Sequence, residues 1–322
     1  MNTDIPVTRS AEPGPVGRWR SPRWTLADAP RLDGRTAVVT GSNAGLGYET
    51  ALGLAGLGAH VVMACRSTGK AEAAAGLIRQ RVPGASVEVR QLDVASLQSV
   101  KAFAEDLRGS RRDLDLLVNN AGIMAVDEAR TADGFELQLG TNHLGHFALT
   151  AQLLPLLLAT PGSRVATMSS MGHRAGRLAP DDLMGTARGY DRWRAYFQSK
   201  LANLLFTAEL HRRLQAAGAP TIAVAAHPGG SRTDLGTEGS SGSNRLMRVV
   251  VPALTQPAST GALGMLRAVT APDVVGGEFY GPRFIAVGHP VRETPSRRAR
   301  NAEDARLLWH ASERLTGITS PV

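Results

Sequence analysis

Residues 35–47 read Arg35-Thr36-Ala37-Val38-Val39-Thr40-Gly41-Ser42-Asn43-Ala44-Gly45-Leu46-Gly47. Arg35 to Thr40 is a short run with Ala37, Val38 and Val39 at its centre, the pattern of a parallel strand covered on both faces. It leads directly into glycines, which let a backbone turn sharply and approach a pyrophosphate. An Ala- and Leu-rich helix, Leu46 to Leu57, follows and aims its N-terminal amides at negative charge. The spacing G-x-x-x-G-x-G departs from the general dinucleotide pattern G-x-G-x-x-G, and an isolated turn of this kind equally suits an ordinary loop. The flanking strand and helix favour a dinucleotide-binding unit, with Gly41, Ser42, Asn43, Gly45, Leu46 and Gly47 at the cofactor.

Further strands and helices alternate outward from this unit. Ala59 to Ala64, Ser86 to Leu92, Leu114 to Val118, Ser163 to Met168, Thr221 to Ala226 and a stretch near Glu278 to Tyr280 read as strands. Helices are expected up to about Arg81, from about Ser96, and over Phe135–Leu158, Arg192–Ala217, Ser259–Val269 and Asn301–Thr316. Leu201, Leu204, Leu205 and Ala208 mark the buried face of the fourth of these, and Leu308, Ala311 and Leu315 that of the last. The alternation predicts one α/β domain, a doubly wound parallel sheet of about seven strands with helices on both faces, over residues 34–322. Residues 1–33 carry Pro6, Pro13, Pro15, Pro22 and Pro30 with Trp19 and Trp24, which suits an extended arm whose second half lies against the domain.

In such sheets ligands collect at the carboxyl ends of the strands, where this chain concentrates its distinctive residues. After the second strand come Cys65 and Arg66, with Lys70 close behind and no acidic residue before Glu72. A free ribose 2′-hydroxyl calls for an acid there and a 2′-phosphate for a cation, so Arg66 favours NADP(H) over NAD(H), unless it is simply an exposed arginine. Asp93-Val94 ends the third strand, and Asp93 either accepts from an adenine amino group or caps the following helix. Asn119-Asn120-Ala121-Gly122 ends the fourth, its small Ala-Gly pair permitting close approach of a cofactor. Ser169-Ser170 ends the fifth, as a cap or as a catalytic hydroxyl. His227-Pro228-Gly229-Gly230-Ser231-Arg232-Thr233 breaks the chain after the sixth.

Tyr196-Phe197-Gln198-Ser199-Lys200 places a phenol and an amine one helical turn apart. A free tyrosine holds its proton to about pH 10, and a nearby ammonium lowers that value. The connection 171–192 before this helix is long enough to shape a substrate pocket. The Gly- and Ser-rich run Gly236 to Asn244 reads as part of a mobile lid over about 236–262.

Composition narrows the function classes. Of 322 residues, 43% are hydrophobic and 20% charged, ordinary for a soluble globular protein. The single cysteine, Cys65, forbids an intramolecular disulfide and fits a reducing compartment. Met1 to Ser10 carries no signal or anchor pattern, and the apolar run Leu144–Ala159 falls short of the ~20 residues that span a bilayer, so a cytoplasmic protein without a membrane anchor is expected. The net charge of +8 raises nucleic acid as a partner, but the arginines are scattered and lack interleaved aromatics, so none is expected. No metal site is expected either.

On these motifs the chain resembles the short-chain dehydrogenase/reductases, specifically their retinol-dehydrogenase-like branch, over roughly residues 34–290. The resemblance rests on Thr40 to Gly47, Ala64-Cys65-Arg66, Asn119 to Gly122, Thr141-Asn142-His143-Leu144-Gly145-His146-Phe147, Ser169-Ser170, Tyr196 to Lys200 and His227-Pro228-Gly229. It implies a Rossmann fold and a catalytic tetrad of Asn142, Ser170, Tyr196 and Lys200. Ser170 would polarise the substrate oxygen and Tyr196 act as general acid or base. Lys200 would lower the tyrosine's pKa and bind the nicotinamide ribose, and Asn142 would hold a water. It further implies cofactor contacts from Asn120, Ala121, Gly122, Pro228, Gly229 and Thr233. Ser231 departs from the family, which often has a branched apolar residue there. Relatives often pair through the Asn142 and Tyr196 helices, so a homo-oligomer is a possible state. The expected reaction interconverts a carbonyl and an alcohol on a moderately large, mainly apolar small molecule. A catalytically silent NADP(H) sensor, which needs the glycine turn but not the tetrad, is the alternative.

Overall fold

A computed structural model describes residues 23–187, 189–230 and 256–322. The first 22 residues of the proposed arm, Ser231, Thr233 and most of the expected lid lie outside the described residues. Trp24 is buried in the same apolar cluster as Leu32, Leu54 and Ala59, so the described end of the arm packs against the domain.

The core is one sheet: β1 (Thr36–Thr40), β2 (His60–Cys65), β3 (Val87–Gln91), β4 (Leu116–Asn119), β5 (Arg164–Met168), β6 (Ile222–Ala226), β7 (Phe279–Pro282) and β8 (Pro290–Glu293). The spatial order is β3-β2-β1-β4-β5-β6-β7-β8. The seven expected strands pair in parallel, and β8 adds an antiparallel edge strand, Phe279 opposite Glu293. Its sequence, Pro290-Val291-Arg292-Glu293, is too short and too polar for periodicity to reveal. The order reverses between β1 and β4, which opens a crevice at their carboxyl ends.

Side chains alternate across each strand. Ala37 and Val39 pack with Val61, Met63 and Val118 beneath α1 (Gly45–Gly56), α2 (Thr68–Arg81) and α7 (Ala258–Thr270). Val38 faces the opposite side, with Val62 and Leu117, against α3 (Leu97–Ser110), α5 (Gly145–Leu158) and α6 (Arg192–Ala216). The short α4 (Leu137–Leu139) and a π-helical turn, Gly140–Leu144, lead into α5. The C-terminal α8 (Ala302–Thr316) lies outside α6, where Trp309 stacks on Phe206 at 5.9 Å and meets Phe147 edge-on at 5.1 Å.

Two expected buried positions are exposed. Ala208 points outward because α6 is gripped on two sides, by the sheet and by α8; Glu209 is buried instead, paired with Arg212 and Arg213. Leu315 likewise faces outward, while Leu308, Ala311, Ser312 and Thr316 form the buried stripe. Among the described residues no helix is long and apolar enough to cross a membrane.

Candidate active site

The glycine turn is shaped by what its glycines lack. Gly41 has φ of 64°, and a Cβ there would lie 2.9 Å from that of Ala121. A Cβ on Gly47 would meet the Gly41 carbonyl and the Asn120 amide, so these backbones close up only because position 47 has no side chain. Asn120 donates from Nδ2 to the Thr40 carbonyl at 2.8 Å, tying the β1 turn to the β4 turn. Ser42 is fully buried and donates to the Val39 carbonyl with Cys65 Sγ 3.5 Å away, so any contact it makes to a cofactor comes from its backbone. Ala44 gives α1 no side-chain cap, which leaves its first amides available to an anion. Asn43, Gly45 and Leu46 stay partly accessible.

Arg66 and Lys70 are exposed just beyond β2, and Arg66 makes no hydrogen bond or ion pair with any other described residue. Of the two roles weighed for Asp93, capping of α3 belongs to Ser96, which accepts from Ser99 N–H. Asp93 instead locks the preceding turn, its Oδ1 accepting from Ala95 N–H at 2.9 Å. Val94 is buried, and its carbonyl occupies the space a side chain on Gly145 would need. Asn119 turns away from the crevice and donates to Thr150 Oγ1. Crevice and turn therefore suit a dinucleotide: two backbone approaches that only glycine allows, an uncapped helix start and a free guanidinium.

Asn142, which would ordinarily face solvent in mid-helix, is fully buried within the π-turn. Its amide donates to the Ile123 carbonyl at 3.0 Å and to Ser199 Oγ at 2.9 Å, and its Oδ1 accepts from Ile123 N–H at 2.8 Å. A Cβ on Gly122 would lie 2.9 Å from Asn142 Oδ1 and 3.3 Å from Lys200 Nζ, so the Ala-Gly turn is the roof of this pocket. His146 and Thr40 complete the support. Thr40 Oγ1 accepts from the amides of Asn120 and Ala121, which leaves its own proton for His146 Nε2 at 2.9 Å. The His146 proton then sits on Nδ1 and is donated to the Asn142 carbonyl at 3.2 Å. Burial holds His146 neutral, with a pKa lowered to about 4.

Ser170 caps the turn Met171–Arg174, accepting from Gly172 N–H at 3.1 Å, and its hydroxyl lies near enough to the Tyr196 phenol to favour the phenolate. Lys200 lies one turn further along α6, Nζ 5.9 Å from the Tyr196 ring centre and 3.4 Å from the Met168 carbonyl. Ser169 Oγ donates to the Lys200 carbonyl and so pins α6 to the end of β5. Tyr196 is 5% exposed and Lys200 2%. Burial pushes the phenol up to about 12, against the opposing effect of the nearby Ser170 hydroxyl, and pulls the amine down to about 8. The spacing argument expected the lysine to depress the tyrosine; in this pocket loss of solvent dominates both groups.

Asn142, Ser170, Tyr196 and Lys200 thus converge below Gly122, beside Asn120 and Ala121. Pro228 and Gly229 reach the same edge, Gly229 with φ of 69° pressed against the Ala286 carbonyl. Sequence reasoning missed Ser199 and Gln256, whose Nε2 donates to the Pro228 carbonyl at 2.9 Å, because nothing local marks either. His146 stands in the motif Thr141–Phe147, which by itself gives it no role.

The family model for short chain dehydrogenases matches residues 35–243. Human retinol dehydrogenase 13 is 40% identical over 297 residues, covering 90% of this chain and 87% of that protein. Human retinol dehydrogenase 12 is 41% identical, covering 89% and 88%. A crystal structure of an uncharacterised protein from Mycobacterium paratuberculosis superposes with a TM-score of 0.79 at 48% identity, covering 94% of this chain and all of that one. A structure from Beutenbergia cavernae, provisionally assigned as an NAD(P)-dependent gluconate 5-dehydrogenase with bound NADP, superposes at 0.61 with 27% identity, covering 78% and 96%. The chain therefore belongs to the short-chain dehydrogenases, in their retinol-dehydrogenase-like branch, and is an NAD(P)-dependent oxidoreductase of alcohols and carbonyls.

Proposed function

We propose that this oxidoreductase uses NADP(H) and works chiefly as a reductase of a moderately large, mainly apolar carbonyl compound. The observation that carries the reading is the convergence of Ser170, Tyr196 and Lys200, with Asn142 behind them, under a turn that tolerates no side chain at Gly122. When bound, the cofactor supplies the hydride for the carbonyl carbon. Ser170, its hydroxyl oxygen fixed by Gly172 N–H, holds the carbonyl oxygen. Tyr196 keeps its proton at neutral pH and gives it to that oxygen; the Lys200 ammonium stabilises the phenolate left behind. The Asn142 carbonyl, held on one side by His146, has a second lone pair for a water leading toward Lys200. A silent sensor would need none of these contacts.

Cofactor preference rests on Arg66, an exposed guanidinium at the end of β2 with no partner among the described residues. The apolar, retinoid-sized substrate is inferred from the names of the retinol dehydrogenase relatives. Residues 171–192 serve as the substrate loop of a single domain spanning 34–322.

The test is a titration of NADPH and NADH against wild type and Arg66→Ala, followed by a carbonyl panel that includes retinal. Wild type should prefer NADPH, and Arg66→Ala should lose about 10- to 100-fold of that affinity, as for a charge-assisted phosphate contact. Tyr196→Phe should bind NADPH and turn over nothing. Equal affinity for NADH would overturn the cofactor assignment, and turnover by Tyr196→Phe the proton-transfer role.

A further inference from the structure

The fully buried carboxylate of Glu293 joins two turns of the candidate site. Its Oε1 lies 3.2 Å from His227 Nε2 and its Oε2 3.3 Å from Arg174 Nη2. His227 opens the Pro228–Gly229 turn, and its Nδ1 accepts from Gly229 N–H at 3.2 Å, so the ring proton sits on Nε2 and is donated to Glu293. Arg174 ends the turn that Ser170 caps. In that same turn His173 donates from Nδ1 to the Ser170 carbonyl at 2.6 Å and accepts at Nε2 from Ser296 N–H at 3.3 Å, three residues beyond Glu293. Phe279 of β7 lies between the two imidazoles, 5.2 Å from His227 and 5.4 Å from His173. Gly281 has no side chain where one would strike both His227 and Glu293. The antiparallel strand β8 thus inserts a charge between the ends of β5 and β6, the strands that deliver Ser170 and Pro228–Gly229.

We propose that Glu293 is a positioning residue that fixes the Pro228–Gly229 turn relative to the Ser170 turn, so that a nicotinamide held by one is aligned with a carbonyl held by the other. This rests on the reading of the protein as an NADP(H)-dependent carbonyl reductase and adds to it a determinant outside the tetrad. A buried ion pair that served only to hold β8 in the sheet would affect every ligand equally.

Two ligands separate these roles: NADPH, and 2′-phospho-ADP-ribose, which lacks the nicotinamide. Glu293→Gln keeps the shape and an acceptor for His227 but releases Arg174. It should weaken NADPH by about tenfold, as expected for loss of a supporting hydrogen-bonded charge, while 2′-phospho-ADP-ribose binds within about twofold of wild type by the same arithmetic. Arg174→Ala removes the same tie at a half-exposed side chain; it should likewise weaken NADPH by about tenfold and spare 2′-phospho-ADP-ribose, and lower kcat for carbonyl reduction by about 10- to 100-fold, as for a misaligned reacting group. An affinity ratio unchanged in Glu293→Gln overturns the proposal, as does an unchanged kcat in Arg174→Ala should Glu293→Gln fail to fold. Wild type that binds NADPH with either of these results sinks the role of Glu293 alone. A folded wild type that binds no NADPH sinks the reductase reading and this inference together.

Discussion

Lys200 and Tyr196 show how far burial can override a neighbour. The amine is drawn down to about 8 and the phenol driven up to about 12, in both cases mainly by loss of solvent. Below pH 8 the pair is ammonium and phenol, the state a reductive proton transfer needs. As pH rises through 8 the ammonium is lost first, because the tyrosine still holds its proton there. Carbonyl reduction should therefore show an alkaline limb in kcat/KM centred near the Lys200 value. Lys200→Met should remove that limb and lower kcat by about 100-fold or more. A pH–rate profile of both proteins checks this, and a limb retained in Lys200→Met would assign it to another group.

At the scale of elements, the site depends on helices that do not contribute to it directly. The π-turn 140–144 places Asn142 inward, and the residue that follows the turn, Gly145 at position one of α5, packs on the Val94 carbonyl. His143 in the same turn reaches Ser312 of α8 at 2.8 Å, and α8 clasps α6 through Trp309, Phe206 and Phe147. Arg213 of α6 adds a cation 4.5 Å from the Trp309 ring. Trp309→Ala should lower the unfolding free energy by about 3–5 kcal/mol, the range for truncating a buried aromatic. Urea denaturation measures this; a loss under about 1 kcal/mol would mean that α8 is held by other contacts.

At the scale of the molecule, three histidines are buried neutral: His143 with a pKa lowered to about 3, His146 and His173 to about 4, burial being the first cause in each. Unfolded histidine titrates near 6.5, so below that pH the unfolded chain binds protons that the folded protein refuses. Stability is undiminished by these groups above pH 6.5 and falls as pH drops from 6.5 toward 4, by up to about 1.4 kcal/mol per pH unit for each histidine. Unfolding free energies at pH 7.5 and 5.0 should differ by several kcal/mol, and His143→Phe should make the dependence shallower. A flat profile would show that the imidazoles become hydrated and charged without unfolding.

Local signals were enough for the parallel sheet, because an apolar run, a glycine turn and an amphipathic helix announce themselves within about a dozen residues. They also singled out Tyr196 and Lys200 by helical spacing and Ser170 by its strand end, whereas Asn142 entered only through the resemblance of Thr141 to Phe147 to a known family. What periodicity could not supply was the environment of each group. That Asn142 is buried, that Ser42 turns inward, and that solvent loss outweighs Lys200 in setting Tyr196 depend on what packs overhead. The outward faces of Ala208 and Leu315 follow from the docking of α8 on α6, between residues about a hundred positions apart. β8 and Glu293 lie furthest from prediction: a four-residue polar strand becomes legible only once β7 offers it an edge, and its carboxylate gains meaning only beside His227 and Arg174. Burial and long-range pairing belong to the assembled chain, and those are the terms that set protonation and alignment at this site.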